Sequence, residues 1–258
     1  DSNFNFDKTE STKLSGDWHF FWKKFIKPEL ANKKEVLNQG KLLEVPGSWT
    51  QLKKPKTTPQ GYGTYILKLK GLKKGQEFGL RAGRVFSNYN LFLVQQGEIK
   101  KIFSSGITGN SKKSSIPQLL KGKNSFTSKG GDINLVLHVS NFFYREGKVF
   151  LDFKIGKKEK VFREFSKAEY LKYFFVGWLF ILSLYHFALF FKRPQNKETL
   201  YFSLFCGFIL TRQVTVAHDL FWLFGEPSTF LFELNAKLDY FTLIYSFPLF
   251  VSFVKSLY

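Results

Sequence analysis

The residues that could do chemistry are few and far apart. Glycosidic hydrolysis needs two carboxylates flanking the scissile bond. The acids of the N-terminal region, Glu44, Glu77, Glu98, Asp132 and Glu146, are sparse and scattered. The histidines, His19, His138, His186 and His218, lack the spacing of metal ligands. Cys206 is the single cysteine, so no disulfide can form within the chain. There is no GxSxG, no Walker motif and no nucleotide-binding glycine loop. No catalytic residue, metal or cofactor is expected, and the chain is not read as an enzyme. What remains is a binding set. Trp49 and Tyr62 offer rings that could stack on a sugar. Arg81, Arg84 and Arg145 offer guanidinium groups, of which Arg81 or Arg145 could hold a carboxylate or sulfate by paired hydrogen bonds. Asn88, Asn141 and Tyr144 complete the polar set. The competing and weightier reading makes Trp49 and Tyr62 packing residues and Asn141 the cap of a turn.

Charge is the second clue. The net charge is +19, and residues 1–170 carry 32 Lys and Arg against 15 Asp and Glu. A basic surface can serve nucleic acid, anionic lipid or acidic glycans. Nearly all the positive residues are Lys, whereas Arg is the better tool for bidentate phosphate recognition. A solvated lysine surface is the preferred reading, and no nucleic-acid partner is expected.

These residues must be carried by strands in the first part of the chain. Tyr65, Leu67 and Leu69 alternate with Lys68 and Lys70. Leu91 and Leu93 precede a Gln96-Gly97 turn and a strand at Ile99–Phe103. Ile133, Leu135, Leu137 and Val139 alternate, as do Val149, Leu151, Phe153 and Ile155. Many strands with turn signals argue for an antiparallel sandwich. The expected division is a flexible tail at 1–13, a sandwich at 14–156, a charged connector at 157–169 and a membrane region at 170–258. Gly106–Gly131 is expected to be a long loop.

The membrane region begins with Tyr173–Phe191, nineteen residues without Asp, Glu, Lys or Arg. At a helical rise they span roughly 28 Å, close to the hydrocarbon thickness of a bilayer. A second apolar segment, Leu200–Thr211, is interrupted by Arg212 and extends towards Ala217; a third is Tyr240–Val254, with Pro248 inside it. Lys192–Lys197 is a short basic loop and His218–Asp239 a net acidic connection. Short loops rich in Lys and Arg stay cytoplasmic, which places the N-terminal domain outside. Ionisable residues at membrane depth usually face a bundle interior. His186, Arg212 and Asp219 are therefore candidates for transmitting a conformational state, with Arg212 expected to pair with Asp219 or with a helix beyond this chain. The chain opens with Asp1 and closes on an apolar stretch, so a piece of a longer protein is expected.

Several stretches together carry a resemblance. Leu14–Phe20 (LSGDWHF), Val45–Trp49 (VPGSW), Gly61–Tyr65 (GYGTY), Leu80-Arg81, Ser87–Leu93 and Val139–Asn141 before Arg145–Gly147 resemble galactose-binding-like jelly-roll domains, including the sugar-binding domain of family 2 glycoside hydrolases. Followed by Tyr201–Cys206 (YFSLFC) and Leu238–Tyr240 (LDY), the whole is similar to bacterial seven-transmembrane receptors with diverse intracellular signalling modules. The resemblance implies a periplasmic sensor on an inner-membrane bundle, with a cytoplasmic kinase, cyclase or phosphatase as output. About three of the seven helices are present here, and no output module. Expected partners are a periplasmic small molecule, carbohydrate or protein, the lipid bilayer and a possible homodimer mate. The alternative is a membrane-anchored carbohydrate-binding or adhesion module without signalling.

Overall fold

A computed structural model describes residues 2–3, 10–52, 54, 56–83, 88–145, 147–149 and 153–258. The chain forms two units, Asp1–Phe165 and Ser166–Tyr258.

The first unit is built of β1 (Ser2–Asn3), β2 (Ser11–Lys13), β3 (Gly16–Trp22), a four-residue helix α1 (Lys34–Leu37), β4 (Lys41–Val45), β5 (Gly47–Ser48), β6 (Gly61–Lys70), β7 (Glu77–Ala82), β8 (Asn88–Gln95), β9 (Glu98–Ser105), β10 (Gly122–Thr127), β11 (Ile133–Asn141), β12 (Lys148–Val149) and β13 (Lys154–Lys157). Two main sheets result. One has the order β4-β3-β6-β11-β8-β9, with β1 beside β6; the other is β10-β7-β13-β2. A small β12-β5 pair stands apart from both.

The alternating runs explain the core. Tyr65, Leu67 and Leu69 of β6 and Ile133, Leu135, Leu137 and Val139 of β11 join Trp18, Phe20, Phe78, Leu80 and Ile155 in one buried cluster. Each fully buried side chain of this size contributes roughly 1.5–3 kcal/mol. The larger sheet is buried on its other face as well. Phe21, Ile66, Val94 and Val136 pack there with Ala31 and the half-buried Ile26, Val36 and Leu37. That second layer buries Ile66 of β6 and Val136 of β11 on the face opposite the main core. Gln96 and Gly97, between β8 and β9, both take left-handed conformations (φ 48° and 82°), as a tight hairpin turn of this kind requires.

Three expectations need correction. The tail ahead of residue 14 is not wholly unstructured, because Ser11–Lys13 pairs with Lys154–Gly156 of β13 and Ser2–Asn3 pairs parallel with the end of β6. Polar residues suffice there, since the backbone supplies the pairing. The stretch Gly106–Gly131 is not one loop: Gly122–Thr127 is an edge strand in register with β7. Its only buried apolar side chain is Phe126, too little to register as alternation. The third membrane segment, short for a span when counted from Tyr240, does start earlier, for helix α5 runs over Thr229–Leu257. The acidic connection correspondingly shortens to the residues around α4 (Asp219–Phe224). Of the final alternating run, Leu151 lies outside the described residues.

Helix α2 (Lys158–Lys192) starts within the first unit and is continuous into the second. Its first turns pack on the smaller sheet. Val161 is fully buried, and a Cβ placed on Gly79 would stand 3.0 Å from both Val161 Cβ and Lys158 Cα. Lys158 also pairs with Glu77 at 2.8 Å, and Lys123 lies 4.9 Å from the centre of the Phe162 ring. The glycine lets helix backbone approach strand backbone; the charged residues hold the approach at its rim.

The second unit consists of the rest of α2, α3 (Lys197–Ala217), α4 and α5. Helix α3 runs straight through Arg212 without interruption. Three helices, α2, α3 and α5, are long and apolar enough to cross a membrane. Ser183 of α2 and Ser203 of α3 donate their hydroxyls to each other's carbonyl oxygens at 3.0 and 2.8 Å. Helices α3 and α5 meet through Phe202–Phe253, Phe205–Phe250 and Phe208–Phe241, with ring centres 5.1–5.5 Å apart. Trp178, Ile181, Phe230 and Phe247 point outward, a surface suited to lipid rather than water.

Candidate functional site

A groove of about 540 Å³ opens where β3 ends and β6 begins. It is bounded by Lys23, Thr58–Tyr62, Asn110, Phe142 and Arg145. Its floor follows from local packing. Lys23, just past β3, takes a left-handed conformation (φ 54°), and its backbone N–H donates to the Tyr62 carbonyl at 2.9 Å. Gly61 is required because a Cβ there would strike the Trp22 ring. Tyr62 is braced from behind by Phe25, ring centres 4.9 Å apart.

One wall is set by Asn141. Its side-chain amide donates to the carbonyls of Pro59 at 3.1 Å and Tyr144 at 3.2 Å, and its oxygen accepts from the Tyr144 N–H at 2.9 Å. Asn141 thus closes the turn that presents Phe142 and Arg145 and ties it to the opposite wall. Trp49 sets that opposite wall. Its indole N–H donates to the Thr58 carbonyl at 2.8 Å, and the Thr57 hydroxyl donates to the Trp49 carbonyl at 2.6 Å.

The expected binding set therefore divides. Tyr62 and Arg145 line the groove. Asn141 and Trp49 build it without lining it, and Tyr144 enters through its backbone. Trp49 is fully buried and stacked on Phe20 at 6.1 Å, so its ring offers no face to a sugar; that expectation is corrected. Asn88 is also fully buried and its amide donates to the Ile107 carbonyl, which makes it a loop anchor. Arg81 belongs to β7, 6.0 Å from the Phe165 ring centre and away from the groove. Arg84 lies outside the described residues.

Lys23, Gln60, Asn110 and Phe142 also line the groove and carry no signal of it in the sequence. They converge from separate segments, and Lys23 stands among many lysines. Together they make the groove cationic, aromatic and amide-rich, with no carboxylate lining it among the described residues. The arrangement offers charge, amides and ring faces to a ligand. Among the described residues no group of three His, Cys, Asp or Glu could hold a metal ion.

Behind the groove, His138 Nε2 donates to the Ile26 carbonyl at 2.7 Å, and the ring lies between Phe25 and Phe92. Burial lowers its ring below the usual histidine range, and the bond to Ile26 offsets part of that.

In the helical unit the polar residues pair differently from the sequence expectation. Arg212 binds Asp239 of α5 at 2.9 Å, and Asp219 binds Lys172 of α2 at 2.9 Å. Arg212 reaches a helix with which α3 is already packed, so the expected Arg212–Asp219 pair does not form. Lys172 is shared with Glu169 at 2.8 Å. Asn235 donates to the Thr215 carbonyl at 3.2 Å and stands 2.9 Å from His218 Nδ1. His186 belongs to none of these pairs and lies against Phe202, ring centres 4.6 Å apart. Long apolar helices joined by internal ion pairs and hydroxyl bonds suit a membrane bundle.

Residues 168–258 match the family model for 7TM diverse intracellular signalling. The chain is thus a membrane protein, and its helical unit is similar to that family. The matched segment contains Arg212, Asp219 and Asp239. Solved structures similar to the chain include the Bifidobacterium dentium beta-glucuronidase complexed with coumarin-3-O-glucuronide, 18% identical over 50% of this chain and 20% of that one, with a TM-score of 0.36. The Ruminococcus gnavus beta-glucuronidase in its apo form is 15% identical over 57% of this chain and 29% of that one, TM-score 0.38. The Lactobacillus rhamnosus beta-glucuronidase is 16% identical over 57% and 28%, TM-score 0.37. The chain spans less than a third of the length of these enzymes, and nothing of their activity is carried over. No curated protein matches the chain.

Proposed function

We propose that the chain is the sensing portion of a transmembrane signalling receptor. The observation that carries this is the match of residues 168–258 to a signalling family directly after a two-sheet sandwich. Helix α2, whose first turns pack on that sandwich, continues into the matched segment without a break. The sandwich lies outside the cytoplasm, in the periplasm of a cell with an inner membrane, and senses a small molecule, carbohydrate or protein. The helices carry the change inward to an output module in the remainder of the protein. A ligand can do this only by binding two states of the receptor with different affinity.

The orientation is supported by the short connections. Lys192, Arg193 and Lys197 surround the link between α2 and α3, whereas residues 218–228 contain Asp219 and Glu226 and no Lys or Arg. A bare anchor needs one helix, and three are present. The test is thiol labelling in cells with a permeabilised outer membrane, on a Cys206→Ser background. A cysteine at the exposed Lys113 should react with a membrane-impermeant reagent, and one at the exposed Gln195 should not. The reverse pattern overturns the orientation and with it the sensor.

A further inference from the structure

The groove at the end of the sandwich gathers two cations and, among the described residues, no carboxylate lines it. Some cations of the sandwich are paired, as Lys68 with Asp132, Lys154 with Glu164 and Lys158 with Glu77. Lys23 and Arg145 line the same groove, and neither has an ion pair or side-chain hydrogen bond among the described residues. Both are exposed, yet their backbones are fixed. Lys23 is pinned through its N–H to Tyr62, and the turn carrying Arg145 is closed by buried Asn141. The backbone at both cations is thus tied down, and among the described residues neither cation has a counter-charge. Between them stand the half-buried rings of Tyr62 and Phe142 and the exposed amides of Gln60 and Asn110.

We infer that this groove takes a saccharide bearing a carboxylate and discriminates against its neutral counterpart. The inference rests on the reading of the sandwich as a ligand-sensing domain. Each part of the ligand has a chemical match. Aromatic rings receive the apolar face of a pyranose. Amides exchange hydrogen bonds with hydroxyls. A guanidinium and an ammonium receive the carboxylate, and hydrogen bonds between charged groups are roughly twice as strong as neutral ones. A volume of about 540 Å³ falls within the usual range for small-ligand sites and suits one or two sugar rings. A protein ligand would be expected to need a broader, flatter apolar surface. A bare inorganic anion would leave the rings and amides unused.

The test uses the full chain in detergent or nanodiscs, with binding read by saturation-transfer NMR. The probes are D-galacturonate, D-galactose, benzoate and inorganic sulfate. D-galacturonate should bind at least about tenfold more tightly than D-galactose, as one charge-assisted contact would give. The Lys23→Gln/Arg145→Gln double variant should remove most of that preference while leaving the unfolding midpoint unchanged. Tyr62→Ala should weaken both sugars. Equal binding of the two sugars overturns the charge selectivity but leaves a sugar-sensing groove. Equal binding of benzoate and D-galacturonate shows an aryl or general carboxylate site and overturns the saccharide. Binding of sulfate alone, or of no probe by a folded chain, overturns the proposal outright. The receptor reading is judged separately, by the labelling experiment.

Discussion

The indole N–H of Trp49 donates to the carbonyl oxygen of Thr58 at 2.8 Å, from a ring that is itself wholly buried. A core residue thereby fixes the wall of an open groove. Trp49→Phe keeps most of the apolar volume and leaves the Thr58 carbonyl without this donor. The expected cost is about 1–3 kcal/mol. It should appear as a lowered unfolding midpoint together with faster amide exchange in residues 57–62. A lowered midpoint with unchanged exchange there would separate the core role from the wall role.

Gly79 lets the start of α2 lie against the smaller sheet. In Gly79→Ala the new methyl stands 3.0 Å from Val161 Cβ and from Lys158 Cα, so the helix start must give way. The expected cost is about 1–2 kcal/mol, with faster exchange confined to residues 158–165. Exchange indistinguishable from wild type would mean that the first turns adapt and that this contact transmits little.

His138 makes stability depend on pH. Its folded value is lowered, chiefly by burial, so the unfolded state binds the proton more readily. The stability contributed by the neutral ring is complete above the ordinary histidine value of about 6.5 and is lost as pH falls from there towards the folded value. The unfolding midpoint of the full chain in detergent should fall between roughly pH 7 and 5, and His138→Gln should flatten that part of the curve. An unchanged slope in the variant would assign the pH response to other groups.

In the helical unit, Lys172 neutralises two carboxylates, Glu169 and Asp219, with side chains only 14–18% exposed. Lys172→Leu leaves those acids close together and should destabilise the bundle by about 2 kcal/mol or more. Lys172→Leu with Asp219→Leu should recover much of the loss. Arg212 and Asp239 form a second pair, so exchanging the two residues should be tolerated better than Arg212→Asp alone. Detergent thermal unfolding reads both series. Additive effects within either pair would dissolve the pair.

The sequence made some of this legible for identifiable reasons. The alternation at Tyr65–Leu69 and Ile133–Val139 faces one deep core, so its period survives in the residue types. Gly122–Thr127 buries little beyond Phe126, so an edge strand of Lys, Asn and Ser resembles a loop. The first turns of α5 carry Glu233, Lys237 and Asp239, and that polarity disguised the helix start, although Asn235 and Asp239 are polar because they bind α3 and its C-terminal turn. Trp49 could be read as a platform or as packing because a core aromatic and a stacking aromatic are the same residue type. Burial decides between them. Tyr62 and Arg145 are in the expected set, but the groove as a whole could not be seen because Lys23, Asn110 and the Phe142–Arg145 turn come from distant parts of the chain.

The central claim is that occupancy of the sandwich changes the membrane helices. The most direct measurement is hydrogen–deuterium exchange of the full chain in nanodiscs, with and without saturating D-galacturonate or any probe that raises the unfolding midpoint. The account predicts altered protection at residues 58–62 and 142–145, in the first turns of α2, and around the Lys172–Asp219 and Arg212–Asp239 pairs. Changes confined to the groove, with α2, α3 and α5 unaltered, would contradict it and leave a membrane-tethered binding domain.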